Sequence, residues 1–133
     1  MLEINVLALK KILAKKSVIA FLAGVLLTLA FAPIHFFLAV PIAFSIFYFL
    51  IEREEISKRQ VFNLGFIFGF GHFLSGIYWI AASLLIDAAQ FGWLVPFALT
   101  IIPSILALYF ALTALSYRFL VQRFRVHMIY QKI

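Results

Sequence analysis

The feature that most constrains this chain is its division into four long apolar runs by short clusters of basic residues. The runs cover 17–32, 34–51, 61–86 and 93–120. A helix needs about 20 residues to cross a hydrocarbon layer of about 30 Å. Runs three and four exceed that length, so tilt or an interfacial end is expected. Runs one and two are short and parted only by Pro33. They read as two thin spans joined by a tight turn, with a re-entrant hairpin as the alternative. The Lys15 and Lys16 stems can snorkel and lengthen run one toward Ile12.

Lipid is the solvent that suits such a chain. Hydrophobic residues make up 66% and charged residues 12% of it, against roughly 45–50% and 25% in ordinary globular domains. A soluble protein of 133 residues has too small an interior to hide that surface. The 17 phenylalanines fit the same solvent. Helices are the expected element, because backbone groups in lipid must pair within their own segment. Barrel strands would alternate apolar and polar residues, and neither Phe66-Ile67-Phe68 nor the run 105–112 does. The predicted fold class is an all-α integral membrane protein with about four transmembrane helices.

Orientation follows from the cations. Lys10, Lys11, Lys15 and Lys16 precede run one. Arg53, Lys58 and Arg59 lie between runs two and three, and Arg118, Arg123, Arg125 and Lys132 close the sequence. The connections around Pro33-Ile34-His35 and 87–92 carry no Lys or Arg. Four spans with both termini cytoplasmic leave every cation inside; three spans would strand one cluster. The expected organisation is a basic cytoplasmic N-terminus over 1–16, a transmembrane domain over 17–120 and a basic tail over 121–133. Ala30-Phe31-Ala32 imitates a signal-peptidase site, but Pro33 would follow the cut and another apolar run comes next, so no cleavage is expected. The net charge of +6 sits in clusters between apolar runs, a pattern of topology and not of nucleic-acid binding.

Run three holds the candidate site residues. At about 100° per residue, Gly65, Gly69, His72, Gly76, Trp79 and Ser83 share one face, with Asp87 near the same line. Small residues let helices approach closely in lipid. The stripe is therefore first a packing seam, and second a seam that admits a lipid chain or head group near Tyr78 and Trp79. His72 is the one charge-capable group near the middle of a membrane run. Such a residue is a functional candidate by default, and a lone imidazole can equally donate to a carbonyl on a neighbouring helix; with no His, Asp or Glu at i±3 or i±4, a metal site or proton relay is not expected. His35 and His127 have no partners in sequence. Glu52, Glu54 and Glu55, with Arg53, Lys58 and Arg59, read as a solvated loop. Pro103 frees the Leu99 carbonyl and predicts a kink, which Thr100 and Ser104 can relieve; Pro96 falls in a first turn. The chain has no cysteine, which excludes disulfides, thiolate metal ligands and a Cys nucleophile. No nucleotide loop, paired catalytic carboxylates or Ser/His/Asp constellation appears, so no catalytic residue, cofactor or metal is expected.

Three segments carry a family resemblance. LTLAFAPIHFF (27–37), FNLGFIFGFGHFLSGIYWIAASL (62–84) and, after Phe91-Gly92, ALYFALTALSYRF (107–119) resemble the opening of apolipoprotein N-acyltransferases, in the same order and spacing. The resemblance covers about 20–119. It implies a multi-pass protein of the bacterial inner membrane, in a family that moves an acyl chain from a phospholipid to the N-terminal diacylglyceryl-cysteine of a lipoprotein. It also implies that the chemistry lies in a periplasmic nitrilase-like domain with a Glu-Lys-Cys triad. No residue here matches that triad. The expectation is a truncated, non-catalytic piece whose partners are membrane lipids, with phospholipid the family's acyl donor. Lipoprotein would join only when the missing domain is supplied, another helix is a further candidate partner, and nucleic acid is not one. The alternative is an independent four-helix membrane scaffold or assembly subunit. A small transporter would need intramembrane charge or an inverted repeat.

Overall fold

The structure, a computed structural model, describes residues 2–31, 34–52 and 56–130, with side chains over 12, 14–31, 34–52 and 56–123. The expected turn at Pro33 and the loop residues Arg53, Glu54 and Glu55 lie outside the described residues. So do Lys132 and the side chains of Lys10, Lys11, Arg125 and His127.

Among the described residues the architecture is all helical. The order is α1 (Leu2–Thr28), α2 (Ala39–Ile51), α3 (Lys58–Gly76), α4 (Tyr78–Leu85), α5 (Ala88–Phe91), a 3-10 turn (Gly92–Leu94) and α6 (Val95–Tyr130). The helices do not coincide with the apolar runs. α1 starts at Leu2, well before run one, because 2–16 is rich in Leu, Ala and Lys with no Gly or Pro to stop a helix. Run two gives only 13 residues of helix, since 34–38 is spent on turns. The Phe36 N–H donates to the Leu29 carbonyl at 2.9 Å and the His35 N–H to the Phe31 carbonyl at 3.0 Å. His35 itself stands at φ 54°, in the left-handed region that few L-residues enter. At 1.5 Å per residue α2 is about 20 Å long, short of the full hydrocarbon thickness by itself.

Run three divides. A capping box starts α3: the Gln60 N–H donates to Ser57 Oγ, and the Ser57 N–H donates to Gln60 Oε1. Ile77, at φ −107° and ψ 10°, ends it, and α4 continues after a bend of 40°. In α6, Pro96 is the second residue and Pro103 lies inside the helix. Thr100 Oγ1 donates to the Pro96 carbonyl and Ser104 Oγ to the Thr100 carbonyl, both at 2.6 Å. The hydroxyls bond carbonyls beside Leu99, not the one that Pro103 frees. Among the described residues one helix, over Ala88–Arg123, is long and apolar enough to cross a membrane, and the bent α3–α4 pair passes the same test as a unit. Only 17% of the apolar stretch of α6 is buried inside the protein. Its surface therefore meets its surroundings instead of a core.

α3 is the hub. It packs on α1 along one side and on α6 along another, while α2 lies against α1 and touches α3 mainly through aromatic rings. Phe68 is fully buried at the centre, with ring centroids 4.4 Å from Phe47, 5.4 Å from Phe110 and 5.9 Å from Phe44. Gly24 of α1 lies beside Phe68 and His72, and Thr28 beside Ser75, so α1 and α3 run the same way. Gly65 meets Ala111 and Ala114, while Gly69 meets Ala107, so α6 runs opposite to α3. These directions gather the described cations at one end. Lys15 and Lys16 adjoin Ile46 and Leu50 of α2, and Lys58 adjoins Phe119 and Leu120 of α6. The described connecting residues 29–31, 34–38 and 86–94 lie at the other end.

Candidate functional site: the two faces of α3 and the groove beside His72

Each seam of α3 is built on absent side chains. On the α6 side, a Cβ added to Gly65 would stand 2.9 Å from Ala111 Cα and 3.0 Å from Ala114 Cβ. One added to Gly69 would stand 2.9 Å from Phe110 Cβ and 3.0 Å from Ala107 Cα. Ala107 and Ala111 are themselves a small-xxx-small pair, and with Ala114 they are buried. On the α1 side the approach is closer and reciprocal. A Cβ on Gly24 would collide with the Phe68 carbonyl oxygen, and one on Gly71 would lie 2.5 Å from that of Phe21. The hydrogens that occupy those positions point at carbonyl oxygens, the geometry of Cα–H···O contacts between helices.

A polar cluster closes the α1–α3 seam where α1 ends. Thr28 Oγ1 lies 2.8 Å from Ser75 Oγ, 3.0 Å from His72 Nδ1 and 2.9 Å from the His72 carbonyl oxygen. Ser75 Oγ donates back along its own helix to the Gly71 carbonyl at 2.6 Å. The Gly24 carbonyl also bonds the His72 ring. Three phenylalanines surround that ring, Phe73 at 5.0 Å, Phe31 at 5.6 Å and Phe110 at 6.0 Å between centroids.

His72 and His35 line one groove of about 500 Å³, whose other walls include Leu27, Phe37, Val40 and Phe44. Phe44 and Phe110 also border a second hollow of about 530 Å³ between α2 and α6. Tyr117, in the wall of this second hollow, donates to Glu52 Oε2 at 3.0 Å and lies edge-on to Tyr48. Arg118, the next residue, is 7% exposed.

The predicted stripe therefore splits three ways. Gly65 and Gly69 face α6. His72 turns toward Thr28 of α1. Gly76 also looks to α1, but loosely, since an added Cβ would meet only Thr28 Cγ2 at 3.8 Å. Trp79 and Ser83 lie past the bend on α4; Trp79 is 59% exposed, and Ser83 donates to the Trp79 carbonyl of its own helix. Of the two readings open for His72, the carbonyl partner on a neighbouring helix has a counterpart in Gly24, but the Thr28 and Ser75 hydroxyls were missed. So were Gly24, the alanines of α6 and the Tyr117–Glu52 bond. The small residues at 20, 23 and 24 and at 107, 111 and 114 were available as signals; for Tyr117 and Glu52, 65 residues apart, there was none.

A family model describing the apolipoprotein N-acyltransferase N-terminal domain matches residues 23–131. The chain belongs to this family. The apolipoprotein N-acyltransferase of Rhodopseudomonas palustris is 41% identical over 102 residues, which cover 74% of this chain and 19% of that protein. That of Rickettsia typhi is 40% identical over 95 residues (71% and 19%). That of Rhizobium rhizogenes is 33% identical over 114 residues (80% and 21%). The chain spans about a fifth of the length of these relatives. No solved structure matches it. The resemblance read from 27–37, 62–84 and 107–119 is thereby shown, and these segments supply the groove, the hub helix and the alanine seam.

Proposed function

We propose that these 133 residues form the membrane-embedded N-terminal part of an apolipoprotein N-acyltransferase. In this reading they cross the bacterial inner membrane four times, with both termini in the cytoplasm. The family match over residues 23–131 carries the reading. The alternating helix directions and the gathering of Lys15, Lys16 and Lys58 at one end support the orientation. The exposed apolar surface of α6 supports the lipid setting. α1 and α2 are then a long and a thin span, the second completed by the turns before it.

The role is that of a scaffold in contact with membrane lipids. The family's reaction, acyl transfer from phospholipid to the amino group of a lipoprotein's diacylglyceryl-cysteine, requires an activated thiolate. This stretch has no cysteine, so it performs no transfer by itself. Lipoprotein is engaged only together with a nitrilase-like domain. Two measurements test the proposal. Because the chain is cysteine-free, single cysteines report topology without background. Gln90→Cys is expected to react with an impermeant maleimide on spheroplasts, and Gln122→Cys only after permeabilisation; the opposite pattern defeats the orientation. The purified chain is expected to give no acylation of a diacylglyceryl peptide, and measurable turnover would defeat the non-catalytic role.

A further inference from the structure

Lys15 and Lys16 border a hollow of about 440 Å³ between α1 and α2, at the end of the bundle away from His72. On α1 the wall is made by residues 12, 15, 16 and 19, and on α2 by 46, 49 and 50, each set at the spacing of one helix face. The two helices run in opposite directions. Leu27 shares the groove beside His72 with Val40 and Phe44, whereas Lys16 shares this hollow with Leu50. One turn inward, about 5 Å along the axes, the lysines give way to Ile19 and Leu50 gives way to Ile46. The hollow thus has two cations at its mouth and aliphatic walls beneath them.

The charge at that mouth is uncompensated. Among the described residues no carboxylate lines the hollow, and neither lysine has an ion pair or hydrogen bond. Glu52, at the end of α2, accepts from Tyr117 and does not border the hollow. Lys16 is half-buried, so solvent screens it less than a free surface cation.

We propose that this hollow binds an anionic phospholipid of the cytoplasmic leaflet, with its phosphate against Lys15 and Lys16 and the upper part of an acyl chain against Ile19 and Ile46. The inference rests on the four-span membrane placement of the chain, and not on the acyl-transfer reading.

Three observations select this occupant. The first is level. Lys15 and Lys16 stand just before apolar run one begins at Ser17, and Leu50 stands one residue before α2 ends at Ile51. Both helices therefore leave the apolar layer at the height of the lysines, which is where lipid phosphates sit. The second is the order of the walls. Cations at the mouth and isoleucines one turn deeper match a phosphate joined to a chain. A free phosphate would leave Ile19 and Ile46 unused. The third is charge. A zwitterionic head group brings its own ammonium to two lysines, which repel it, whereas a net-anionic head group brings only the charge that the lysines lack.

The test uses the full chain in phosphatidylcholine nanodiscs. Two probes carry the same photoactivatable diazirine in an acyl chain, one on phosphatidylglycerol and one on phosphatidylcholine. The anionic probe is expected to label the peptides that contain Ile19 and Ile46 at least about fivefold more, the preference that one lysine near an anionic lipid confers. This comparison leaves the protein unaltered, so it does not depend on any variant folding. The double variant Lys15→Gln, Lys16→Gln is expected to fall to the level of the phosphatidylcholine probe. Lys58→Gln, at the same end but beside Phe119 of α6, is expected to leave the labelling unchanged. Millimolar glycerophosphoglycerol, the head group without chains, is expected not to compete. Equal labelling by the two probes overturns the proposal. An equal fall with Lys58→Gln overturns it as well, because the preference would then belong to the whole cytoplasmic face. Competition by glycerophosphoglycerol would make the hollow a site for soluble anions and overturn the lipid. Absence of adducts at these peptides, with the Gln90→Cys topology intact, overturns the site while leaving the membrane reading standing.

Discussion

α3 and α4 come from one uninterrupted apolar run, yet they behave as different materials. α3 buries Val61, Leu64, Gly65, Phe68, Gly69 and Gly71 between two neighbours. α4, beginning two residues after α3 ends, buries none of its side chains. Hydropathy does not separate them, since α4 is at least as apolar. Side-chain size does. α3 meets glycine and alanine on α1 and α6 and so comes within backbone contact of both. α4 leads with Tyr78 and Trp79, both exposed, whose amphipathic rings suit a membrane interface, and it touches α6 without burying a side chain. In lipid, where apolar surface gives no drive for helices to associate, closeness of approach decides what packs.

The comparison breaks first at Gly24. Its neighbour is the Phe68 backbone, which cannot rotate aside. Gly24→Val is expected to separate α1 from α3 and cost at least about 3 kcal/mol, read as a lowered thermal midpoint in detergent. Gly65→Val should cost less, because one of its close contacts is the Ala114 methyl, at the edge of a helix that can shift. Equal losses would mean that both seams yield alike and that the Gly24 contact is nothing special.

Phe68→Ala attacks the same hub by removing volume. Three aromatic rings contact Phe68, and all lose partners at once. In water such a change costs about 3–5 kcal/mol. In lipid the transfer part drops out of the comparison with the dissociated helices, and about 2 kcal/mol is expected for the cavity. Trp79→Ala, on exposed α4, should leave the midpoint unchanged. A comparable fall for Trp79→Ala would erase the distinction between the two helices.

Legibility in the sequence divides along the same physical line. Period and composition exposed the apolar runs, the family segments and the spacing of Gly65 with Gly69. They could not expose Gly24 as critical, because a single small residue in α1 gains meaning only from the carbonyl opposite it. They could not place the break at Ile77. Gly76 is the obvious breaker, yet no glycine here has positive φ, and the irregular backbone belongs to the residue after it. The early start of α1 was hidden for the opposite reason: hydropathy marks where lipid begins, not where a helix begins. Ser57-x-x-Gln60 was a readable start signal for α3, obscured by its place inside a charged stretch.

Thr28→Val sharpens the contrast at smaller amplitude. It keeps the shape of the side chain and removes the hydroxyl shared by His72 and Ser75. A loss of about 1 kcal/mol is expected, in line with interhelical hydrogen bonds in membranes. Ser75→Ala alone should cost less, because its shortest bond is to its own helix at Gly71. Additive losses in the double variant would show that the two hydroxyls act separately, against a coupled cluster of His72, Thr28 and Ser75.

Gly76→Ala carries the smallest expected effect and the most direct information about the junction. An added methyl would stand 3.8 Å from Thr28 Cγ2, an ordinary contact, and the backbone there is one that alanine adopts freely. Alanine is the better helix former by about 1 kcal/mol in a helix interior, and less at a last residue. A gain of a few tenths of a kcal/mol is therefore expected, with the bend at Ile77 retained. The bend must then originate in Tyr78 and Trp79, which leave the bundle for the interface. If Gly76→Ala instead lowered stability, the glycine itself would be holding α3 and α4 apart, and the difference between them would lie in one backbone position instead of in what their side chains can approach.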